Sequence, residues 1–321
     1  MPSREPGDRR LIARLKQKLG ISLGLLHLYK ARPLTSLQIH LLPVCGRERL
    51  MFSIVTPSYN QGKYIGETAR SVLDQSYKKI EYIVQDSLSA DCTAGVLTAF
   101  NDARMKVYYE KDNGQADAIN RGFSHARGDI MAYLNSDDIL LPHALAQVAA
   151  YFESNPSVEA LYADRLIIDE QSAVIGHWRL PAHSPSVTRV VDYVPQETLF
   201  WRRSLWERVG GRVDDALQFA MDWDLILKFQ TVGARIDHIP VFTGAFRVHT
   251  AQKTQAAIVM GKKEMRQVRQ RYTNRLMSYL LFPWHIFYLW KHARLDAQPL
   301  KWRQAIDRGT EMNSTVRNGR I

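Results

Sequence analysis

Between Leu50 and Phe152 the chain alternates apolar runs of strand length with stretches of helical periodicity, and this alternation narrows the available folds more than any other feature. Phe52-Ser-Ile-Val-Thr56 is a short β-branched run stopped by Pro57, after which Ile65, Ala69, Val72 and Leu73 recur at helical spacing. Ile80-Glu-Tyr-Ile-Val84 predicts a second strand ending at Asp86, followed by a helix from about Thr93 to Phe100. Met105 to Tyr109 and Ile130 to Leu134 predict the third and fourth strands, with a helix between them from about Gln115 to Ala126. Leu141, Leu145, Val148, Ala149 and Phe152 mark the next helix. Strands separated by helices return to the sheet in parallel, so the expected fold class is α/β, a largely parallel sheet with helices on both faces. Ligands of such sheets bind outside the carboxyl ends of the strands.

The polar residues cluster at those ends. Thr56-Pro-Ser-Tyr-Asn60 follows the first strand, Asp86-Ser-Leu-Ser-Ala-Asp91 the second and Asn135-Ser-Asp-Asp138 the fourth. Asn, Ser and Asp are also ordinary turn and N-cap residues, so an acidic pair alone is consistent with a solvated turn. Taken together, the three clusters suit one nucleotide: an aromatic such as Tyr59 stacks on a base, a carboxylate such as Asp86 accepts from a base N–H, and the acidic pair holds a metal. Hard cations such as Mg2+ and Mn2+ commonly bind through one or two carboxylates plus substrate phosphates. No G-x-G-x-x-G follows the first strand and no Walker A lysine occurs, so neither phosphate-binding fingerprint is present. A metal is the expected partner of the phosphates.

Net charge places the rest of the molecule. The formal charge of +11 divides into +7 over residues 1–49, +9 over residues 261–321 and −5 over residues 50–260. The basic character belongs to two flanks, which suit anionic lipid or other phosphate surfaces. With no zinc-finger spacing and no RNA-recognition motif, nucleic acid is not the expected partner. Arg9 to Tyr29 mixes basic residues with Leu11, Ile12, Leu15, Leu19, Leu23 and Leu26 at spacings of an amphipathic helix. Met277 to Trp290 is apolar and aromatic but too short to span a bilayer, and Pro283 is expected to break it. It suits either a terminal helical pair packed on the domain or an interfacial role. Cys45 and Cys92 form neither a metal-ligand spacing nor a disulfide framework, which suits a reducing, cytoplasmic setting, peripheral on the inner face of the membrane.

The residues from about 50 to 250 resemble the nucleotide-sugar glycosyltransferases of family 2, which have the GT-A fold, Rossmann-like and mostly parallel. The segments that carry the resemblance are Ser53-Ile-Val-Thr-Pro-Ser-Tyr-Asn-Gln61, Ser71-Val-Leu-Asp-Gln75, Glu81-Tyr-Ile-Val-Gln-Asp86, Asn113-Gly-Gln-Ala-Asp-Ala-Ile-Asn120 and Leu134-Asn-Ser-Asp-Asp138. It implies a GT-A domain over residues 50–255, between a basic amphipathic extension (1–49) and a helical basic and aromatic one (256–321). It implies that Pro57, Tyr59 and Asp86 line a nucleoside pocket, that Asp117, Asn120 and Ser136 join the donor site, and that Asn135, Asp137 and Asp138 occupy the position of the family's DXD motif. Asn135 stands where that motif begins with Asp, so the metal, Mn2+ or Mg2+, is assigned to Asp137 with Asp138 in support.

The second half is similar to the family's acceptor side. Gln196-Glu-Thr-Leu-Phe-Trp-Arg-Arg203, Val209-Gly-Gly211 and Ala220-Met-Asp-Trp-Asp-Leu225 lead to Asp222, which matches the general base. Where many members have Glu-Asp this chain has Met221-Asp222, so a supporting acid is either absent or supplied by Asp224. Phe246-Arg247-Val248-His249 resembles the segment whose histidine completes the metal or diphosphate site. Gln196, Glu197, Trp201 and Trp223 are candidates for acceptor or sugar contact; each aromatic equally suits a core position. The resemblance implies inverting transfer from a nucleoside-diphosphate sugar, by family default a UDP-sugar, to a glycan or lipid-linked acceptor of cell-surface polysaccharide assembly. The alternative, motivated by Asn135 and Met221, is a non-catalytic nucleotide-sugar-binding module whose flanks bind membrane or a partner.

Overall fold

A computed structural model describes residues 30–42, 48–250, 258–273, 280 and 282–302. The expected amphipathic stretch Arg9 to Tyr29 and the first residues of the Met277 to Trp290 segment lie outside them. So does Cys45, whereas Cys92 is a free, exposed thiol.

The described strands are β1 (Arg32–Pro33), β2 (Phe52–Ser58), β3 (Ile80–Asp86), β4 (Met105–Tyr109), β5 (Ile130–Tyr133), β6 (Ile139–Leu140), β7 (Ala160–Ile168), β8 (Ala173–Trp178), β9 (Phe200–Arg202) and β10 (Ile236–Arg247). At the centre, β2 pairs in parallel with β3 on one side and β5 on the other, and β4 adds in parallel to β3. Every residue of β2 and β3 is buried, as expected of strands covered on both faces. The helix Ile65–Leu73 buries Ile65, Ala69, Val72 and Leu73 against that sheet, following its sequence periodicity. Buried on the same helix, Thr68 donates its hydroxyl to the carbonyls of Ser136 (3.0 Å) and Asp138 (2.8 Å). One helix face thereby holds the turn at the end of β5 in place.

Beyond β5 the sheet becomes mixed. β9 runs antiparallel to both β5 and β7, β8 antiparallel to β7, and β10 parallel to β7. β6 pairs antiparallel with β10, and β1 extends the edge at β8. The parallel expectation therefore describes the first half, while the second half closes the sheet with short reversed strands. Two helices end earlier than their patterns predict, at Thr98 and Ser124. Pro283, the expected break in the Met277 to Trp290 segment, stands at the start of a helix. It is the second residue of the helix Phe282–Asp296, a position whose N–H has no intrahelical partner to lose. Tyr288 and His292 of this helix are buried, and the Tyr288 hydroxyl donates to the Pro181 carbonyl at 3.3 Å.

The start of β2 is a close approach that only glycine fits. A Cβ on Gly128 would lie 2.5 Å from the Ser53 nitrogen and 2.7 Å from the Met51 carbonyl oxygen, both backbone atoms that cannot swing aside. Gly128→Ala is expected to cost about 1–3 kcal/mol of overpacking strain, measured as a lower midpoint of urea denaturation with an unchanged slope.

Candidate active site

The carboxyl ends of β2 and β5 and the loops of the second half open onto a single cavity of about 860 Å³. That lies within the range of roughly 300–1,000 Å³ typical of small-molecule and cofactor sites. Pro57, Ser58, Tyr59, Ser87 and Leu88 line one part, Asn135, Ser136, Asp137, Asp138 and His249 another, and Asp192, Gln196, Glu197, Met221 and Asp222 a third. Tyr59 and Leu88 stand 61% and 55% exposed at the rim, offering apolar surface suited to a planar base. Asn60 and Leu88 both hold left-handed backbone (φ 53° and 55°), a conformation costly for leucine and common where a site dictates the chain path.

Asp137 and His249 meet in the cavity, with Nε2 of the imidazole 3.0 Å from Oδ2 of the carboxylate. Arg247 holds this corner from behind. Its guanidinium, wholly buried, donates to the Asp137 carbonyl (2.7 Å), the Asp169 carbonyl (3.0 Å), the Ser172 hydroxyl (2.8 Å) and Glu67 Oε2 (2.7 Å). The Arg247 backbone N–H donates to Asp138 Oδ1 at 2.9 Å. Asp138 is therefore buried behind Asp137, and burial, followed by repulsion from Asp137 and Glu197, holds its carboxyl well above the usual range. Asn135 spends its amide on structure. Its Oδ1 accepts from Gln115 Nε2 (2.7 Å), and its Nδ2 donates to Gln196 Oε1 (3.0 Å) and Asp138 Oδ2 (3.2 Å). Among the described residues no group of three or more His, Cys, Asp and Glu side chains suits a metal. The Asp137–His249 pair still fits a divalent cation whose other ligands are phosphate oxygens and water, because such ions take few protein ligands in nucleotide sites.

Asp222 enters the cavity from the first turn of the helix Met221–Thr231. It accepts from the Trp223 backbone N–H (2.8 Å), yet burial pushes its carboxyl up to about 6. The loop that delivers it is held by Glu264 of the helix Ile258–Tyr272. This buried carboxylate accepts from the backbone N–H groups of Gln218 (3.1 Å), Phe219 (2.7 Å) and Ala220 (3.1 Å). Arg165 of β7 supplies positive charge. Its Nε lies 2.8 Å from Glu197 Oε1, and its guanidinium sits 4.8 Å and 4.4 Å from the ring centres of Trp178 and Phe246. Glu197 is nevertheless raised by burial. Asp192 is held well above the usual range by burial and by repulsion from Asp222. Arg165, Asp192 and Glu264 carry no motif, and sequence reasoning does not find them.

Pro57, Tyr59, Asn135, Ser136, Asp137, Asp138, Gln196, Glu197, Asp222 and His249 all line the cavity; five other candidates do not. Asp86 is buried below it, its carboxylate accepting from the Ser58 hydroxyl (2.9 Å) and from the N–H (2.8 Å) and hydroxyl (2.7 Å) of Ser89. It shapes the loop that presents Ser87 and Leu88. Asp117 accepts from the Asn113 N–H (3.0 Å) and pairs with Arg121 (3.2 Å) at the start of its helix. Asn120 makes two hydrogen bonds to the Val213 backbone, clasping the two halves together. Trp201 is wholly buried, its ring centre 5.6 Å from that of Phe123 and 5.8 Å from that of Phe229. Trp223 is equally buried and donates Nε1–H to the Thr188 carbonyl at 2.6 Å. Asp224, one alternative for a supporting acid, instead pairs with Lys228 (3.1 Å), Arg271 (3.2 Å) and the Tyr272 hydroxyl (3.0 Å). Asp192 and Glu197 are the acidic groups that interact with Asp222 in the cavity.

Residues 53–180 match the family described as Glycosyl transferase family 2. Over these residues the chain belongs to this family. The match takes in the strand ends of the first half and stops short of Asp222 and His249. Among curated relatives, this family 2 chain is 34% identical over 196 residues to the O-antigen biosynthesis protein RfbC of Myxococcus xanthus, covering 60% of this chain and 15% of that one. The chain thus spans a small part of that relative's length. Two solved structures share the GT-A-like fold at 20% identity. S. aureus TarS 1-349 in complex with UDP-GlcNAc aligns with a TM-score of 0.57 over 68% of this chain and 65% of its own. The mannosyltransferase PcManGT from Pyrobaculum calidifontis, in complex with GDP-Man and Mn2+, aligns with 0.53 over 78% and 68%.

The core position of Trp201 is open to test. Trp201→Ala is expected to lower stability by about 3–5 kcal/mol, the cost of emptying a large aromatic site, read as a shift in the urea midpoint.

Proposed function

We propose that this chain is an inverting, metal-dependent glycosyltransferase that moves a sugar from a nucleoside diphosphate to a hydroxyl of a glycan or lipid-linked acceptor. The observation that carries this reading is the meeting in one cavity of the Asp137–His249 pair with Asp222, a carboxylate pushed up to about 6. A sugar hydroxyl is a weak nucleophile, and Asp222 takes its proton as it attacks the anomeric carbon. Attack from the face opposite the departing diphosphate inverts that centre, so an α-linked donor gives a β-linked product. The raised pKa makes Asp222 a better proton acceptor than an ordinary carboxylate while leaving it mostly ionised near neutrality.

Pro57, Tyr59 and Leu88 receive the base, and Asn135, Ser136 and Asp138 frame the ribose and diphosphate. Asp137 and His249 hold a divalent cation, Mn2+ or Mg2+; when bound, this ion neutralises charge that builds on the phosphate oxygens. The cavity wall supports a cation there. It carries Asp112, Asp137, Asp138, Asp192, Glu197 and Asp222 against Lys111, Arg165 and His249, a balance hostile to a bare diphosphate. A UDP-sugar is the donor proposed first, and TarS and PcManGT make UDP-GlcNAc and GDP-Man the first probes.

The likeness to an O-antigen biosynthesis protein supports a role in polysaccharide assembly. We place the transferase unit at residues 50–255 and assign the basic extensions to an anionic membrane surface on the cytoplasmic side. Among the described residues no helix is long and apolar enough to cross a membrane. A nucleotide-sugar-binding module without turnover is the second reading, favoured by the engagement of the Asn135 amide oxygen with Gln115.

Nucleotide release from UDP-, GDP- and dTDP-sugars, with acceptor extract and Mn2+ or Mg2+, separates the two readings. Asp222→Asn is expected to lower kcat/KM about 10²–10⁴-fold, the range of general-base catalysis. Asp137→Ala is expected to abolish the metal-dependent rate. Nucleotide binding without release under any of these conditions would favour the binding module. Because the base works ionised, wild-type kcat/KM is expected to fall as pH drops through about 6. A rate flat from pH 7 to pH 4.5 would exclude Asp222 as the base.

A further inference from the structure

We infer that Asp192 is a sugar-binding residue, its carboxylate receiving a hydroxyl of the acceptor beside the one that Asp222 deprotonates. This rests on the glycosyltransferase reading and adds to it a specificity-determining contact.

The residues flanking Asp192 are fixed on both sides. Trp223 Nε1–H donates to the Thr188 carbonyl at 2.6 Å, and Arg269 Nε–H donates to the Val190 carbonyl at 3.0 Å. Beyond it, the Tyr193 hydroxyl accepts from the Ser184 N–H at 3.0 Å. The side chain differs from its surroundings. It lines the cavity, yet its carboxylate accepts no hydrogen bond from the described residues. The residue is half-buried, and the side on which its carboxylate can meet a donor is the cavity.

The character of the missing donor is set by the neighbours. Arg165 influences Asp192 through space but is already paired with Glu197 and sandwiched between two rings. A second metal is disfavoured because a cation with so few protein ligands needs phosphate oxygens to complete its shell, and the diphosphate is already assigned to the Asp137–His249 corner. An anionic ligand would meet repulsion from Asp192 and Asp222 together. A neutral ligand rich in O–H donors remains, which is the chemistry of a sugar. Asp192 shares its wall with Gln218, Phe219, Met221 and Asp222, which places its contact on the acceptor side of the reacting centre.

The same arrangement ties Asp192 to the basicity of Asp222. Arg165 from β7 and Glu197 from the 3-10 turn Gln196–Thr198 act on the Asp222 carboxyl, Arg165 lowering and Glu197 raising its pKa, while Tyr133 of β5 interacts with it. The interaction of Asp192 with Asp222 is repulsive. Neutralising Asp222 therefore lowers the pH at which Asp192 ionises, an effect that mere damage to packing does not produce.

The test uses the full chain with UDP and Mn2+, the methyl glycosides of glucose, galactose, mannose, GlcNAc, GalNAc and rhamnose, and saturation-transfer NMR. Asp192→Ala is expected to weaken glycoside binding at least ~10-fold, the scale of a lost hydrogen bond to a charged group. Asp192→Asn, which keeps one acceptor oxygen, is expected to fall between that variant and wild type. UDP affinity by calorimetry and the thermal midpoint stay unchanged in both. In protein labelled with ¹³C at the aspartate carboxyls, Asp222→Asn is expected to move the Asp192 titration to lower pH. Unchanged glycoside affinity in Asp192→Ala, an unmoved Asp192 titration in Asp222→Asn, or a wild type that binds none of the glycosides would overturn the inference. Glycoside binding through Asp192 without any nucleotide binding would sink the transferase reading and leave the sugar subsite standing.

Discussion

One buried guanidinium organises the end of the sheet. Arg247 has no exposed surface and joins the carbonyl of Asp137, the carbonyl of Asp169, the hydroxyl of Ser172 and the carboxylate of Glu67, while its own N–H reaches Asp138. Those partners come from the turn after β5, the β7–β8 connection and the helix Ile65–Leu73. A buried charge is tolerable only when so fully bonded. With that satisfied, the Asp137 carboxylate has little freedom other than to face His249, two residues further along the chain from Arg247. The Asp137–His249 corner is rigid because a buried guanidinium pins it from behind.

Charge balance is the second constraint. The cavity gathers more carboxylates than one folded domain comfortably places together, and it manages them unequally. Glu197 is paired with Arg165, Asp138 is buried against the Arg247 backbone, Asp137 faces an imidazole, and Asp192 and Asp222 are left to repel each other. Groups in different surroundings titrate at different pH, which lets chemically identical side chains take separate roles.

The parallel half of the fold was legible because its strands are covered on both faces and its helices on one. Their periodicities of unbroken apolar run and 3.6-residue repeat are unambiguous at Phe52–Ser58 and Ile65–Leu73. The reversed strands β6 and β9 are two and three residues long, too short to leave a pattern. Asp137, Asp222 and His249 were legible through family segments, and each lines the cavity. Trp223 suited site and core equally by its residue type, and its position held the clue between them: successive helical residues point about 100° apart, so with Asp222 facing the cavity, Trp223 turns to the core. Asp86 and Asn120 stand in recognisable segments but act on the backbone around them. Arg165, Asp192 and Glu264 were invisible for another reason. Their partners lie tens of residues away, and nothing local in Val-Val-Asp-Tyr or Lys-Lys-Glu-Met announces such a contact.

Glu264 alters how the C-terminal flank is to be regarded. By family pattern the catalytic unit closes near residue 255, and the remaining residues form an appendage. Yet the three amide groups of Gln218, Phe219 and Ala220, which set the entry of the Asp222 helix, all converge on a side chain beyond that boundary. The flank is thus a splint for the reacting carboxylate. Any force borne by the helix Ile258–Tyr272, from whatever surface engages the segment after it, is transmitted through one carboxylate to the backbone immediately ahead of the base. On the reading proposed above, surface contact and turnover are mechanically in series and share a single joint at Glu264.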